Sequence, residues 1–188
     1  MKIVIAGIVG GVILFVCGAL FHIVTPLGHA GVAAVPQDRE LPLIESMKSM
    51  LTERKVYMFP GFDMDDSGAM EKEPFRSRHD AGPTGIIVFS PGPGVWTRSR
   101  LMLFEFGFNV LEGLIAAFVV AQMAASASWG RRALVVALIG LSGTIASEGS
   151  LWNWYLFPTE YFGAYLVMNT VGALIAGFAI AKIVPPRA

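Results

Sequence analysis

Apolar residues run almost unbroken over four stretches, residues 3–24, 101–125, 133–151 and 161–184. Each matches the roughly 20 residues that a helix needs to cross about 30 Å of hydrocarbon, where only helices and closed barrels satisfy their own backbone polar groups. The pattern predicts an all-α membrane fold, a bundle of four transmembrane helices. It divides the chain into residues 1–24 (first span), 25–100 (a loop region) and 101–188 (the remaining spans). Small residues recur at helical spacing inside the runs: Gly7 with Gly11, Gly140 with Gly143, Gly172 with Ala176 and Ala173 with Gly177. They suit close backbone approach between helices, either within the bundle or in a dimer.

Residues 25–100 break the pattern with Pro, Gly and charge, and hold too few apolar residues for a large core of their own. Over residues 43–54, Leu43, Ile44, Met47, Met50 and Leu51 recur at helical spacing after Pro42, which predicts an amphipathic helix. Its apolar face suits the membrane surface, a small core within the loop, or a partner. Val56-Tyr57-Met58-Phe59 and Ile86-Ile87-Val88-Phe89, bounded by Pro-Gly punctuation that includes Pro91-Gly92-Pro93-Gly94, predict two strands that pair beneath that helix. Between them Asp63, Asp65, Asp66 and Gly68 imitate the start of a calcium loop, but the bidentate Glu is missing, so a solvated flexible loop is the expectation. The whole region is expected to be a small α+β extracytoplasmic loop region between the first and second helices.

Short-loop basic residues set the expected orientation. Lys2, Arg131 with Arg132, and Lys182 with Arg187 all fall on one side, and the turn between the third and fourth runs carries none. The positive-inside rule then puts both termini in the cytoplasm. The first run is read as an uncleaved span, because it exceeds a signal-peptide core of about 7–15 residues. Composition agrees with the membrane class: of 188 residues, 54% are hydrophobic and 15% charged, and the mean hydropathy is +0.61. Fourteen basic residues balance fourteen acidic ones, so no basic excess recommends nucleic acid. The single cysteine, Cys17, permits no intrachain disulfide and no thiolate metal site, and Val16 before it argues against lipidation.

The chemistry that remains is polar groups inside apolar runs, where ionisable residues cost a few kcal/mol and are functional candidates by default. Glu105, Asn109 and Glu112 share one face of the second run, and Asn169 falls at a similar depth in the fourth. Asn109, Glu112 and Asn169 are expected to form a hydrogen-bonded layer, or to serve a proton- or ion-coupled carrier. Nearer the outer side His22, Glu105 and Glu148 come from three different helices; one reading is a metal or proton site, the other is residues reaching for water. There is no Glu-x-x-His pair, second buried His, HExxH, phosphate loop or nucleophile elbow, and no cofactor is expected.

The densest local pattern is Trp152-Asn153-Trp154-Tyr155, read as an aromatic turn. Trp and Tyr anchor readily at headgroup level; alternatively Trp152, Trp154 and Tyr155 join Tyr57 and Phe59 in a contact surface for a partner. With Phe157-Pro158, Tyr57-Met58-Phe59-Pro60 and Gly85-Ile86-Ile87-Val88-Phe89, this pattern resembles a group of small bacterial inner-membrane proteins of unknown function. That resemblance implies a multi-pass protein of the bacterial inner membrane and carries over no activity. A long first loop followed by short turns also resembles claudins, but their paired loop cysteines are missing. Three functions stand open: a non-enzymatic accessory or assembly subunit, within a larger membrane complex or a homo-oligomer; a coupled carrier using the intramembrane carboxylates; and an enzyme with a His/Glu site.

Overall fold

The computed structural model describes residues 1–92 and 97–185. Pro93 and Gly94 of the expected turn, and Arg187 of the terminal basic cluster, lie outside the described residues. The chain forms two compact units, Met1–Ala33 with Trp96–Ala188, and Ala34–Val95.

The first unit holds helices α1 (Lys2–Val24), α4 (Arg98–Ala121), α5 (Trp129–Tyr155) and α6 (Thr159–Ile183), each long and apolar enough to cross a membrane. α1 packs against α4 and α6, and α6 packs against α5, whereas α4 and α5 touch little. Small residues make the seams. A Cβ on Gly7 would sit 2.7 Å from the Leu114 Cα, and one on Gly113 would sit 2.6 Å from the Gly11 backbone nitrogen, so α1 and α4 meet backbone to backbone. On the other side Gly140 meets the Ala173 Cβ at 2.7 Å and Gly177 meets the Ala133 carbonyl at 2.7 Å. Gly143, expected to pack with Gly140, instead has nothing within 4 Å of its Cβ position. One helical turn is enough to carry it off the α6 seam.

These seams give a dry core at one end of the bundle, built from Ala6, Ala116, Ala117, Val120, Val136, Ala176, Ile180 and Val184. At that end Arg132 is only 6% exposed. It donates to the carbonyl of Ala181 at 3.0 Å and of Val184 at 2.8 Å, closing the C-terminus of α6. The Trp129 indole donates to the Phe178 carbonyl at 2.9 Å.

The expected aromatic turn is not a turn. Trp152, Asn153, Trp154 and Tyr155 continue α5 as its last helical turn. The chain reverses only over Leu156, in the left-handed region at φ 59°, and Pro158, which caps α6. Nothing in Trp-Asn-Trp-Tyr breaks a helix, and Pro158 is the first residue that does. After α1, a short 3-10 helix (Pro26–His29) folds back on α1 and packs on α6. Thr25 anchors it, donating to the Phe21 carbonyl at 2.7 Å and accepting from the Leu27 amide at 3.3 Å.

The second unit contains helix α2 (Gln37–Met50), a hairpin of β1 (Lys55–Phe59) and β2 (Gly85–Phe89), and helix α3 (Phe75–Ala81). The two expected strands do pair, antiparallel, with Lys55 opposite Phe89 and Phe59 opposite Gly85. The expected helix is found but begins earlier, at Gln37, where Asp38 and Glu40 suit the positive end of the helix dipole. None of its residues is buried, so it does not roof the hairpin as expected. The acidic stretch, expected as a flexible loop, is folded: a 3-10 turn at Ala69–Glu71 leads into α3. Phe62 meets Phe75 edge-on at 5.6 Å, and Arg78 donates to the Gly61 carbonyl at 3.0 Å. Asp66 accepts from the Gly68 amide at 3.0 Å and from the Lys72 ammonium.

Candidate functional site

At the end opposite the dry core, the C-terminal halves of α1 and α5 and the N-terminal halves of α4 and α6 enclose a cavity of about 870 Å³. Periodicity builds its α4 wall: Arg98, Met102, Glu105, Asn109 and Glu112 recur every three or four residues, so they share one face. Glu112 immediately precedes Gly113 of the α1 seam and therefore marks the cavity floor. Arg98, fourteen residues earlier, lies roughly 21 Å up the helix at 1.5 Å per residue. α5 contributes Gly143, Thr144, Ser147 and Glu148, α6 contributes Tyr165 and Asn169, and α1 contributes Cys17 and His22.

The intramembrane candidates Glu105, Asn109, Glu112 and Asn169 thus face one space, but not as a hydrogen-bonded layer. Asn109 turns back along its own helix, its amide donating to the Glu105 carbonyl at 2.7 Å and the Glu105 carboxylate at 3.0 Å. Asn169 instead bonds across to α5, donating to the Thr144 hydroxyl at 2.9 Å, which donates in turn to the Gly140 carbonyl at 2.9 Å. An Asn four residues after a Glu reaches its own helix before it reaches a neighbour, which is why the layer does not form. The Glu112 side chain has no hydrogen bond and no ion pair among the described residues.

His22, Glu105 and Glu148 also line this cavity. Among the described residues no three His, Cys, Asp or Glu side chains gather closely enough to hold a metal ion. His22 is instead fixed by packing: Gly28 of the 3-10 turn sits against it, its Cβ position 2.8 Å from His22 Nδ1, and the ring lies 6.1 Å from that of Tyr165. Glu148 accepts from the Ser147 hydroxyl at 3.3 Å through Oε1, while its Oε2 is buried with no hydrogen bond among the described residues. Tyr161 neighbours both Glu148 and Tyr165, with the two tyrosine rings 4.5 Å apart. Three carboxylates face one guanidinium, Arg98, and none of them is ion-paired among the described residues. The cavity is acidic.

The aromatic contact residues divide. Trp152 is tied down, donating to the Thr159 hydroxyl at 3.2 Å and stacking on Phe162 at 5.9 Å, whereas Trp154 is 72% exposed at the cavity end of α5. In the second unit, Tyr57 donates to the Glu53 carbonyl at 3.1 Å and packs on Phe89. Phe59 covers Gly85, whose Cβ position lies 2.8 Å from the ring. Both therefore stabilise the hairpin.

Sequence reasoning missed Arg98, Thr144, Ser147 and Tyr165. Arg98 was legible as the residue seven before Glu105 on the same helical face, and Tyr165 as the residue four before Asn169. Thr144 and Ser147 carry no such signal, since serine and threonine commonly satisfy themselves on their own helix, as both do here. Compared with known proteins, the chain matches no family model, no characterised relative and no solved structure.

Proposed function

We propose that this is a four-span integral protein of a bacterial inner membrane, with both termini cytoplasmic and residues 25–100 outside. It serves as a non-enzymatic accessory or assembly subunit and receives its partner at the cavity-bearing end. The observation that carries this reading is the half-open bundle: one end is closed by glycine seams, and the other holds apart α4 and α5 around carboxylates without ionic partners among the described residues. Lipid alone is a poor neighbour for such groups. Exposed Trp154, Tyr155 and Leu156 stand at the same end, and aromatic residues of this kind dominate contact energies. Lys2, Arg131 and Lys182 lie toward the closed end, which supports a cytoplasmic assignment for it.

The test is photocrosslinking in native membranes from benzoylphenylalanine introduced at Trp154 and at Phe108, with Val4 at the closed end as control. A discrete adduct from the first two positions and not the third is expected, and its mass separates a second copy from a different subunit. Equal adducts from all three, or none, overturn the reading. For orientation, Ser67→Cys in a Cys17→Ser background is expected to react with an impermeant maleimide added outside; reaction only after lysis overturns it.

One observation favours a second reading, a proton- or ion-coupled carrier: the Glu112 side chain stands on the cavity floor without a partner among the described residues. In proteoliposomes carrying an internal pH dye, Glu112→Gln is then expected to abolish acid-driven flux. Undiminished flux in that variant removes this reading.

A further inference from the structure

We infer that the cavity binds a lipophilic organic cation, an apolar or aromatic body bearing an ammonium-type charge. The charge sits among Glu105, Glu112 and Glu148, and the body lies along Phe15, Phe108 and Met102. The inference rests on the proposal that this half of the bundle lies within a bilayer, and it goes beyond it in naming an occupant.

Six observations converge. The sign of the cavity favours a cation, because Arg98 stands about four helical turns along α4 from the floor and pairs with none of the carboxylates. Glu105 and Glu112 stand seven residues apart on one face of α4, so a positive group between them is met by both carboxylates. A bare metal ion is a poor fit, since no three of the acids and imidazoles converge. An organic cation asks for no such convergence: it is weakly hydrated, and takes aromatic faces with one or two carboxylates.

Those faces are present in Phe15, Phe21, Phe108 and Tyr165, interleaved with the acids. The volume, about 870 Å³, lies within the roughly 300–1,000 Å³ of sites that hold drug-sized molecules. Finally, α4 and α5 touch little, and Phe108, which lines the cavity, is also exposed, so an apolar body can reach the site between the two helices.

The experiment uses the full chain in lipid nanodiscs with two probes of nearly equal shape and opposite sign, tetraphenylphosphonium and tetraphenylborate, and empty nanodiscs as the background. Equilibrium dialysis is expected to give saturable tetraphenylphosphonium binding above background and none for tetraphenylborate. The pair Glu105→Gln and Glu112→Gln together weaken it at least tenfold, with helix content unchanged by circular dichroism.

Cys17, the only cysteine, lines the cavity and gives a readout that needs no variant: tetraphenylphosphonium is expected to slow its alkylation by N-ethylmaleimide. No saturable binding overturns the inference, as does equal binding or equal protection by tetraphenylborate. Binding that survives the double substitution overturns it too. If the cation does not bind while the Trp154 and Phe108 crosslinks persist, the occupant is wrong and the partner-binding reading stands.

Discussion

Removing the Arg132 guanidinium is the most direct challenge to the closed end of the bundle. Among the described residues its positive charge has no acidic partner in contact; it is held by two carbonyls in the last turn of α6, where the helix dipole presents partial negative charge. A hydrogen bond to a charged group contributes about 1.5–3 kcal/mol net. Two such bonds at 3.0 and 2.8 Å, discounted because water reaches a helix end once the side chain is gone, give about 3 kcal/mol lost in Arg132→Ala. Arg132→Lys keeps the charge near the dipole but lacks the planar fork that reaches both carbonyls, so it should lose about half as much.

The assay is reversible unfolding in mixed micelles of rising SDS fraction, followed by far-UV circular dichroism and by tryptophan fluorescence, since Trp129 bonds α6 beside this site. Arg131→Ala, one residue away and exposed, is the control and should change stability by less than about 0.5 kcal/mol. If Arg132→Ala and Arg131→Ala unfold alike, the guanidinium is not closing α6 and the account of the packed end fails.

Other expectations follow from the same geometry. Gly113→Val drives side-chain atoms into the Gly7 and Gly11 backbone, which cannot step aside as a side chain can, so it should cost about 2–3 kcal/mol in the same unfolding assay. Gly143→Ala meets nothing within 4 Å and gains helix propensity, so stability should hold or rise by up to about 1 kcal/mol; an equal loss in both variants would refute the seam assignment. Leu156→Gly removes a left-handed leucine that is 62% exposed, and should raise the melting temperature by relieving roughly 1 kcal/mol of backbone strain. Asp66 should titrate below the ordinary carboxylate range, because the Lys72 ammonium and then the Gly68 amide favour its charged form. Its contribution to stability is therefore complete above about pH 4 and fades as pH falls through the lowered value. Selective carbon NMR of the aspartates would show this, and Lys72→Met should return the titration toward the ordinary range.

The four long helices are legible in the sequence because hydropathy over twenty residues is a summed signal that no single residue spoils. Their ends are less so: α5 runs through Tyr155 because aromatic residues look like a turn by position but cost a helix little. The face shared by Glu105, Asn109 and Glu112 follows from helical phase alone. Which neighbour each side chain prefers does not, as Asn109 and Asn169 demonstrate by bonding to different helices. Small residues announce close packing without saying which of them take part, hence Gly140 in the seam and Gly143 beside open space. In the second unit, the strands are marked by their β-branched and aromatic runs. α3 is hidden because Phe62 and Phe75, which fold that stretch, are scattered among acidic residues that dominate its composition.

The glycine seam has a mechanical consequence. Where α1 and α4 touch backbone to backbone at Gly11 and Gly113, with the Leu114 side chain seated on Gly7 beside them, the contact can work as a fulcrum. Arg98 is fifteen residues from Gly113, roughly 22 Å along α4 at 1.5 Å per residue. A rocking of about five degrees at the fulcrum would carry it roughly 2 Å over that lever arm. The mouth of the cavity can therefore change by the width of an atom while the residues around Val120 and Ile180 keep their neighbours.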